Sequence, residues 1–154
     1  MKTNFAVIEN ALKNKGTIAF APYGDSMWPF IKNHASSVII ETLKNEPSLY
    51  DVILFKRENG ALVLHRVIGL GENYIVSGDS ILQTEKVKKA QILGVMTAFY
   101  KGKKMISSSE KSYLEEVKNW YENENRRKRK IKFFYFRKRL QRKITKIFKG
   151  KKDV

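Results

Sequence analysis

The first hundred residues are divided by turn-forming residues into short apolar segments, without helical patterns between them. An Asn59-Gly60 pair, a strong hairpin signal, separates two of these segments. Short strands at this spacing predict a mainly β core. The segments are 16–21, 38–41, 52–56, 61–68, 74–76 and 92–100.

Helical patterns flank this predicted core on both sides. Phe5, Ile8 and Leu12 are spaced three and four residues apart, which predicts a short amphipathic helix. This helix either covers one end of the sheet or serves as a pro-segment or docking helix. After the core, the serine run 107–109 before Glu110 predicts the start of a second helix. We therefore expect a β domain over residues 1–108 and a basic helical tail over 109–154.

The formal net charge of +16 is concentrated in that tail. Residues 1–100 contain 11 Lys and Arg against 9 Asp and Glu, whereas residues 101–154 contain 20 against 6. The predicted core therefore does not have the charge of a general nucleic-acid-binding surface. The absence of cysteine excludes disulfides and thiolate metal sites.

No run of about 18 apolar residues is present, so the sequence predicts no transmembrane helix. The first twelve residues also lack the long apolar core of a secretory signal. We therefore expect a cytoplasmic or peripheral membrane protein.

The tail carries apolar residues at steps of three, four, four and three, which places them on one face of a helix bordered by lysines and arginines. This pattern predicts peripheral contact with an anionic membrane through residues 131–149. A protein partner, packing against the core, and nucleic acid remain alternatives, the last disfavoured because an apolar face has no use on a solvated arm. The apolar positions are Phe133, Phe136, Leu140, Ile144 and Ile147.

Ser26 is the candidate nucleophile. It lies between Gly24, which permits positive φ, and Pro29, which fixes φ, so the segment is expected to turn sharply and to project the hydroxyl outward. A serine in such a turn commonly bonds only its own backbone. It becomes a nucleophile at neutral pH only beside a base.

The sequence offers two histidines as that base. His65 lies in the alternating run 61–68, and the next predicted strand leads into Gly78-Asp79, so His65 and Asp79 are expected near one hairpin. The alternative roles are a hydrogen-bonded structural histidine and a carboxylate that caps the turn. His34 lies in a predicted loop and is expected to be a surface residue.

Four motifs occur in order: Gly24-Asp25-Ser26-Met27-Trp28-Pro29, Tyr50-Asp51-Val52-Ile53, His65-Arg66-Val67-Ile68 and Gly78-Asp79. Together they resemble the signal peptidase I and SOS-repressor clan of serine peptidases over residues 18–100. The resemblance implies a coiled antiparallel β-sheet core. It also implies Ser26 as nucleophile, His65 as the base found in archaeal and endoplasmic-reticulum signal peptidases, and Asp79 as the supporting acid. Glu85 is a weaker substitute for that acid.

The sequence departs from the family at two points. Signal peptidases usually carry a serine two positions before the nucleophile that helps to bind the oxyanion, whereas this chain has Gly24. Backbone amides, notably that of Ser26, would then bind the oxyanion, and loss of one donor slows such reactions on the order of 10²-fold or more. The usual N-terminal membrane anchor is also not predicted.

The resemblance implies a serine endopeptidase that cleaves a leader or signal-like peptide, with no metal or organic cofactor. The peptide is expected to bind extended along a strand edge, with small residues next to the cut. The alternative is a non-catalytic peptide-binding module, or a repressor-like regulator without its DNA-binding half. Residues 1–16 are too short for a helix-turn-helix domain, which counts against the regulator.

Overall fold

A computed structural model describes residues 5–33 and 35–149, without the side chains of Phe5 and of residues 146–149. His34 therefore lies outside the described residues. Within them, the chain forms eight strands, three α-helices and a 3₁₀ turn at Lys89–Gln91. The elements are α1 (Phe5–Lys15), β1 (Thr17–Phe20), β2 (Val38–Glu41), β3 (Val52–Lys56), β4 (Leu62–Gly69), β5 (Tyr74–Ser77), β6 (Glu85–Val87), β7 (Ile92–Lys101), β8 (Lys104–Ser107), α2 (Lys111–Glu122) and α3 (Glu124–Lys149).

The strands form one antiparallel sheet in the order β1-β2-β7-β3-β4-β5-β6, with β8 paired to β7. This arrangement confirms the predicted mainly β core, its short N-terminal helix and its helical C-terminal end. The segments 38–41 and 52–56 form strands with the predicted bounds. The sequence did not predict β6 and β8, and Ser107 belongs to β8 rather than to the start of a helix.

One face of the sheet carries a continuous apolar cluster contributed by β3 to β7. Neighbouring residues of a strand point to opposite faces, so Ile53, Phe55 and Val67 share this face. Burial of these side chains stabilises the fold at about 25 cal/mol per Å² of apolar surface. The cluster comprises Ile53, Phe55, Val67, Tyr74, Val76, Val87 and Ile92.

Helix α1 packs against β1 and β7 and buries the apolar face that its spacing predicted. Ile8 and Leu12 are 2% and 3% exposed. Gly16, at a φ of 70°, ends the helix by donating its N–H to the Leu12 carbonyl. An ion pair of 2.7 Å between Glu9 and Lys56 joins the helix to the end of β3.

The chain divides into two compact units, residues 1–118 and 119–154. The first unit extends ten residues past the expected boundary at 108 because the beginning of α2 packs with the sheet. Tyr113 and Val117 are buried, and the Tyr113 ring contacts Phe99 at 5.1 Å between centroids. The second unit consists of the end of α2 and the 26-residue α3. Among the described helices, none has the length and apolar character needed to cross a bilayer.

Candidate active site

Ser26 lies in a tight turn between β1 and β2. The turn begins at Gly24, whose φ is 100°, and the Trp28 N–H donates to the Asp25 carbonyl at 3.0 Å. The side chain of the next residue, Met27, is buried, whereas Ser26 is partly exposed. The buried Met27 side chain therefore anchors the turn, and Ser26 remains accessible to a ligand.

The loop after β5 holds the Ser26 turn in place. The Ser80 N–H donates to the Ser26 carbonyl at 2.8 Å, and the Ser80 hydroxyl donates to the Asp25 carbonyl at 2.7 Å. A Cβ atom at Gly78 would lie 2.7 Å from the Ser26 carbonyl oxygen, so only glycine permits this approach. Residues more than fifty positions apart thus form one rigid unit around the candidate nucleophile.

His65 lies in β4, opposite Ile53 of β3, and is 6% exposed. Its ring lies 6.1 Å from that of Phe55, on the face of the apolar cluster. Its Nδ1 atom lies 2.9 Å from Oε1 of Glu85. The predicted base is therefore a buried histidine with a carboxylate partner.

The sheet register explains why Glu85 reaches this histidine. Val67 pairs with Val76 of β5, and Val76 pairs with Glu85 at the start of β6, so all three side chains share one face. His65, two residues before Val67, shares that face as well. Arg57 holds the carboxylate with two hydrogen bonds, from Nε at 2.9 Å and from Nη2 at 2.8 Å. The three side chains form a chain from Arg57 through Glu85 to His65.

These contacts set the protonation of the candidate base. Burial lowers the pKa of His65 below its ordinary value, although the charge and hydrogen bond of Glu85 act in the opposite direction. Burial raises the pKa of Glu85, but hydrogen bonding and charge from Arg57 outweigh it, so this pKa lies below its ordinary value. At neutral pH a neutral imidazole therefore faces a carboxylate. Donation from Nδ1–H to Glu85 leaves Nε2 as the proton acceptor that a general base requires.

Asp79, the acid expected to orient His65, is bonded to Arg66. Its two carboxylate oxygens accept hydrogen bonds from Nε and Nη2 of Arg66, at 2.7 and 2.8 Å. Arg66 follows His65 in β4, so the two side chains point to opposite faces of the sheet. The carboxylate bound to Arg66 is thus directed away from the Nδ1 atom, and Glu85 has the place predicted for Asp79.

The Arg66–Asp79 ion pair is a structural element of the first unit. Both side chains are fully buried. Arg66 also donates to the Tyr50 carbonyl at 2.8 Å and to the Tyr113 hydroxyl at 3.0 Å, and its guanidinium lies 5.3 Å from the Phe30 ring centroid. Because Asp79 lies in the loop that holds Ser26, this pair fixes the serine turn relative to the strand that carries His65.

Ser26 and His65 are not hydrogen-bonded to each other in the described part of the chain. Within the same residues, the Ser26 hydroxyl and amide N–H make no hydrogen bond, whereas the Ser26 carbonyl is occupied by Ser80. The structure therefore leaves both polar groups of Ser26 available to a ligand.

Arg57 was not identified from the sequence. The Arg57 N–H donates to the Ala61 carbonyl at 2.9 Å across the Asn59-Gly60 turn. The partner of the Arg57 side chain, Glu85, lies in β6, which was not predicted. The contact could be recognised only once the order of β4, β5 and β6 was known.

The first unit also has a groove, which is lined by residues 41–48, Asp51, residues 95–97 and Ser108 and includes none of Ser26, His65, Asp79 and Glu85. Over residues 5–33 and 35–149, histidine and acidic side chains nowhere form a group of three that could hold a metal ion. The side chains around His65 therefore remain the candidate site.

Neither a scan against models of protein families nor a search of curated proteins gave a match for this sequence.

Proposed function

We propose that this protein is a serine endopeptidase with a signal-peptidase-like fold, in which Ser26 is the nucleophile and His65 the general base. The observation that carries the proposal is the buried His65, whose Nδ1 lies 2.9 Å from Oε1 of Glu85, so that Nε2 is the acceptor when Nδ1 carries the proton. The ordered sequence motifs that resemble the signal peptidase clan support the same assignment. Glu85 is a positioning residue for His65.

In this mechanism, Ser26 Oγ attacks the carbonyl carbon of the scissile peptide bond while His65 Nε2 takes the hydroxyl proton. The C–N bond then breaks, and His65 returns the proton to the leaving amine. Water hydrolyses the resulting ester in the same two stages. The open N–H of Ser26 is the proposed oxyanion donor, and because Gly24 supplies no hydroxyl, turnover is expected to be slow.

The proposed substrate is a leader or signal-like peptide bound in an extended conformation, with small residues next to the cut. Incubation of the protein with a peptide library, followed by mass spectrometry of new termini, tests the proposal. Reproducible cleavage at related sites that is absent with Ser26→Ala supports it. A non-catalytic binding module would instead retain peptides on both proteins without producing new termini, and that result would overturn it.

The first prediction concerns pH. Since burial lowers the pKa of His65, kcat/KM is expected to rise with pH through a single limb whose midpoint lies below the ordinary histidine value of about 6.5. Activity is lost as pH falls through this limb because protonated imidazole accepts no proton. The pH profile of the cleavage rate measures the midpoint. A midpoint near that of lysine, or no limb in the histidine range, would contradict the assignment.

A second prediction tests Glu85 as the positioning residue. Glu85→Gln removes the charge that raises the His65 pKa, so the limb is expected to move to lower pH, with a fall in rate of about 100-fold as the imidazole loses its orientation. Arg57→Gln removes a charge that lowers this pKa, so its limb is expected to move to higher pH. A pH profile of each variant checks the two directions. If both variants shifted the limb equally and in the same direction, the substitutions would act only by disturbing the structure, and the proposed roles of the two charges would be wrong.

A further inference from the structure

Helix α3 carries most of the net charge of the chain. Glu124–Lys149 contains thirteen lysines and arginines and one glutamate, a formal charge of +12. At about 1.5 Å per residue, a helix of 26 residues extends about 39 Å. It therefore presents a long and strongly cationic surface.

An apolar stripe runs along this cationic helix. Phe133, Phe136, Leu140 and Ile144 recur at steps of three and four, so they lie on one face, and they are 62%, 57%, 48% and 45% exposed. We call these four residues the exposed stripe. Ile147, the fifth predicted member, lies where side chains are not described. Large apolar side chains exposed in a row mark an interaction surface.

The exposed stripe lies on the side of α3 opposite its buried residues. Ile131 and Arg127 are 5% and 8% exposed and lie four residues apart, on one face of the helix. Phe133 is two residues beyond Ile131, which is about 200° around the helix. The described chain thus buries one side of α3 and leaves the stripe uncovered.

Cations border the exposed stripe on both sides. Arg137 and Lys143 lie at about 60° on either side of the stripe centre. The guanidinium of Arg137 lies 5.9 Å from the Phe133 ring centroid, so its stem follows the apolar surface. Such side chains place their charge at the level of lipid headgroups while neighbouring apolar groups insert below it.

We propose that α3 binds the surface of anionic bilayers, with the exposed stripe inserted at the boundary of headgroups and acyl chains and the bordering cations on the headgroups. The phosphates of a nucleic acid would pair with the cations but would leave four large apolar side chains in water. At a lipid interface, the headgroups pair with the cations and the acyl chains cover the exposed stripe. The proposal concerns α3 and does not depend on catalysis.

Co-sedimentation with vesicles of phosphatidylcholine containing about one third phosphatidylglycerol tests the proposal on the full chain. Phe136→Asp is expected to weaken partitioning by about 10-fold or more, since it removes an inserted ring. Tyr135→Asp makes the same change in charge at an exposed aromatic about 100° around the helix, so it is the matched control. It is expected to weaken partitioning by only about 3-fold, as one added negative charge near the surface would.

Equal weakening by the two substitutions would overturn the proposal, because the stripe would then contribute nothing beyond its charge. The same conclusion follows if the wild-type chain fails to bind the vesicles at low salt. Preferential binding to a short DNA duplex, with a steep loss in salt and no difference between the variants, would assign α3 to nucleic acid instead. Circular dichroism of both variants establishes that α3 remains helical.

Discussion

Replacement of Ser26 or His65 by alanine is expected to lower the rate of peptide cleavage by about 10⁴-fold or more. Without Ser26 no ester forms, and without His65 the serine keeps its proton at neutral pH. Because the two act as one unit, the double substitution is expected to lower the rate little further than either alone. Single-turnover cleavage of a peptide identified from the library measures all three variants.

His34→Ala is the matched control for His65→Ala because the chain has two histidines. It is expected to retain the wild-type rate. His65 is buried and bonded to Glu85, so urea unfolding of His65→Ala must accompany the rate measurement. Full activity in a folded Ser26→Ala or His65→Ala protein would contradict the proposed mechanism.

The strands predicted from the sequence are those whose own residues favour strand formation. β3 and β4 are apolar segments joined by an Asn-Gly hairpin, and pairing follows from the hairpin itself. β6 and β8 have three and four residues and each includes one lysine, so neither has a strong local preference. They form because β5 and β7 present hydrogen-bonding edges to them. β6 depends on pairing with β5 and was therefore missed, whereas β8 pairs with β7 across the short turn at Gly102 and Lys103, which the sequence analysis did not use.

The site shows the same division between local and tertiary information. Residue type and order predicted Ser26 and His65 as candidates, but not the carboxylate that contacts His65 in the structure. Asp79 is nearer in sequence and matches the family motif, whereas Glu85 was only the weaker alternative. The choice depends on which face of β4 each carboxylate reaches, and that face is set by the pairing of three strands.

Asp79→Asn is expected to lower the free energy of unfolding by about 3–5 kcal/mol, which is the usual effect of removing one partner from a buried ion pair. The substitution leaves the Arg66 guanidinium buried with a neutral partner, although Tyr50 and Tyr113 still accept its other hydrogen bonds. A small domain is stable by only about 5–15 kcal/mol, so the loss is a large fraction. Urea unfolding followed by circular dichroism measures it.

Asp51→Asn provides the matched control, since this partly exposed carboxylate accepts one hydrogen bond from the Ser48 N–H. It is expected to lower the free energy of unfolding by about 1 kcal/mol or less.

The pH profile then separates the two roles of Asp79. If Asp79 oriented His65, Asp79→Asn would shift the histidine limb more than Glu85→Gln does, with little loss of stability. Because Glu85 bonds His65 directly and Asp79 bonds Arg66, we expect the reverse: the larger shift of the limb from Glu85→Gln and the larger loss of stability from Asp79→Asn.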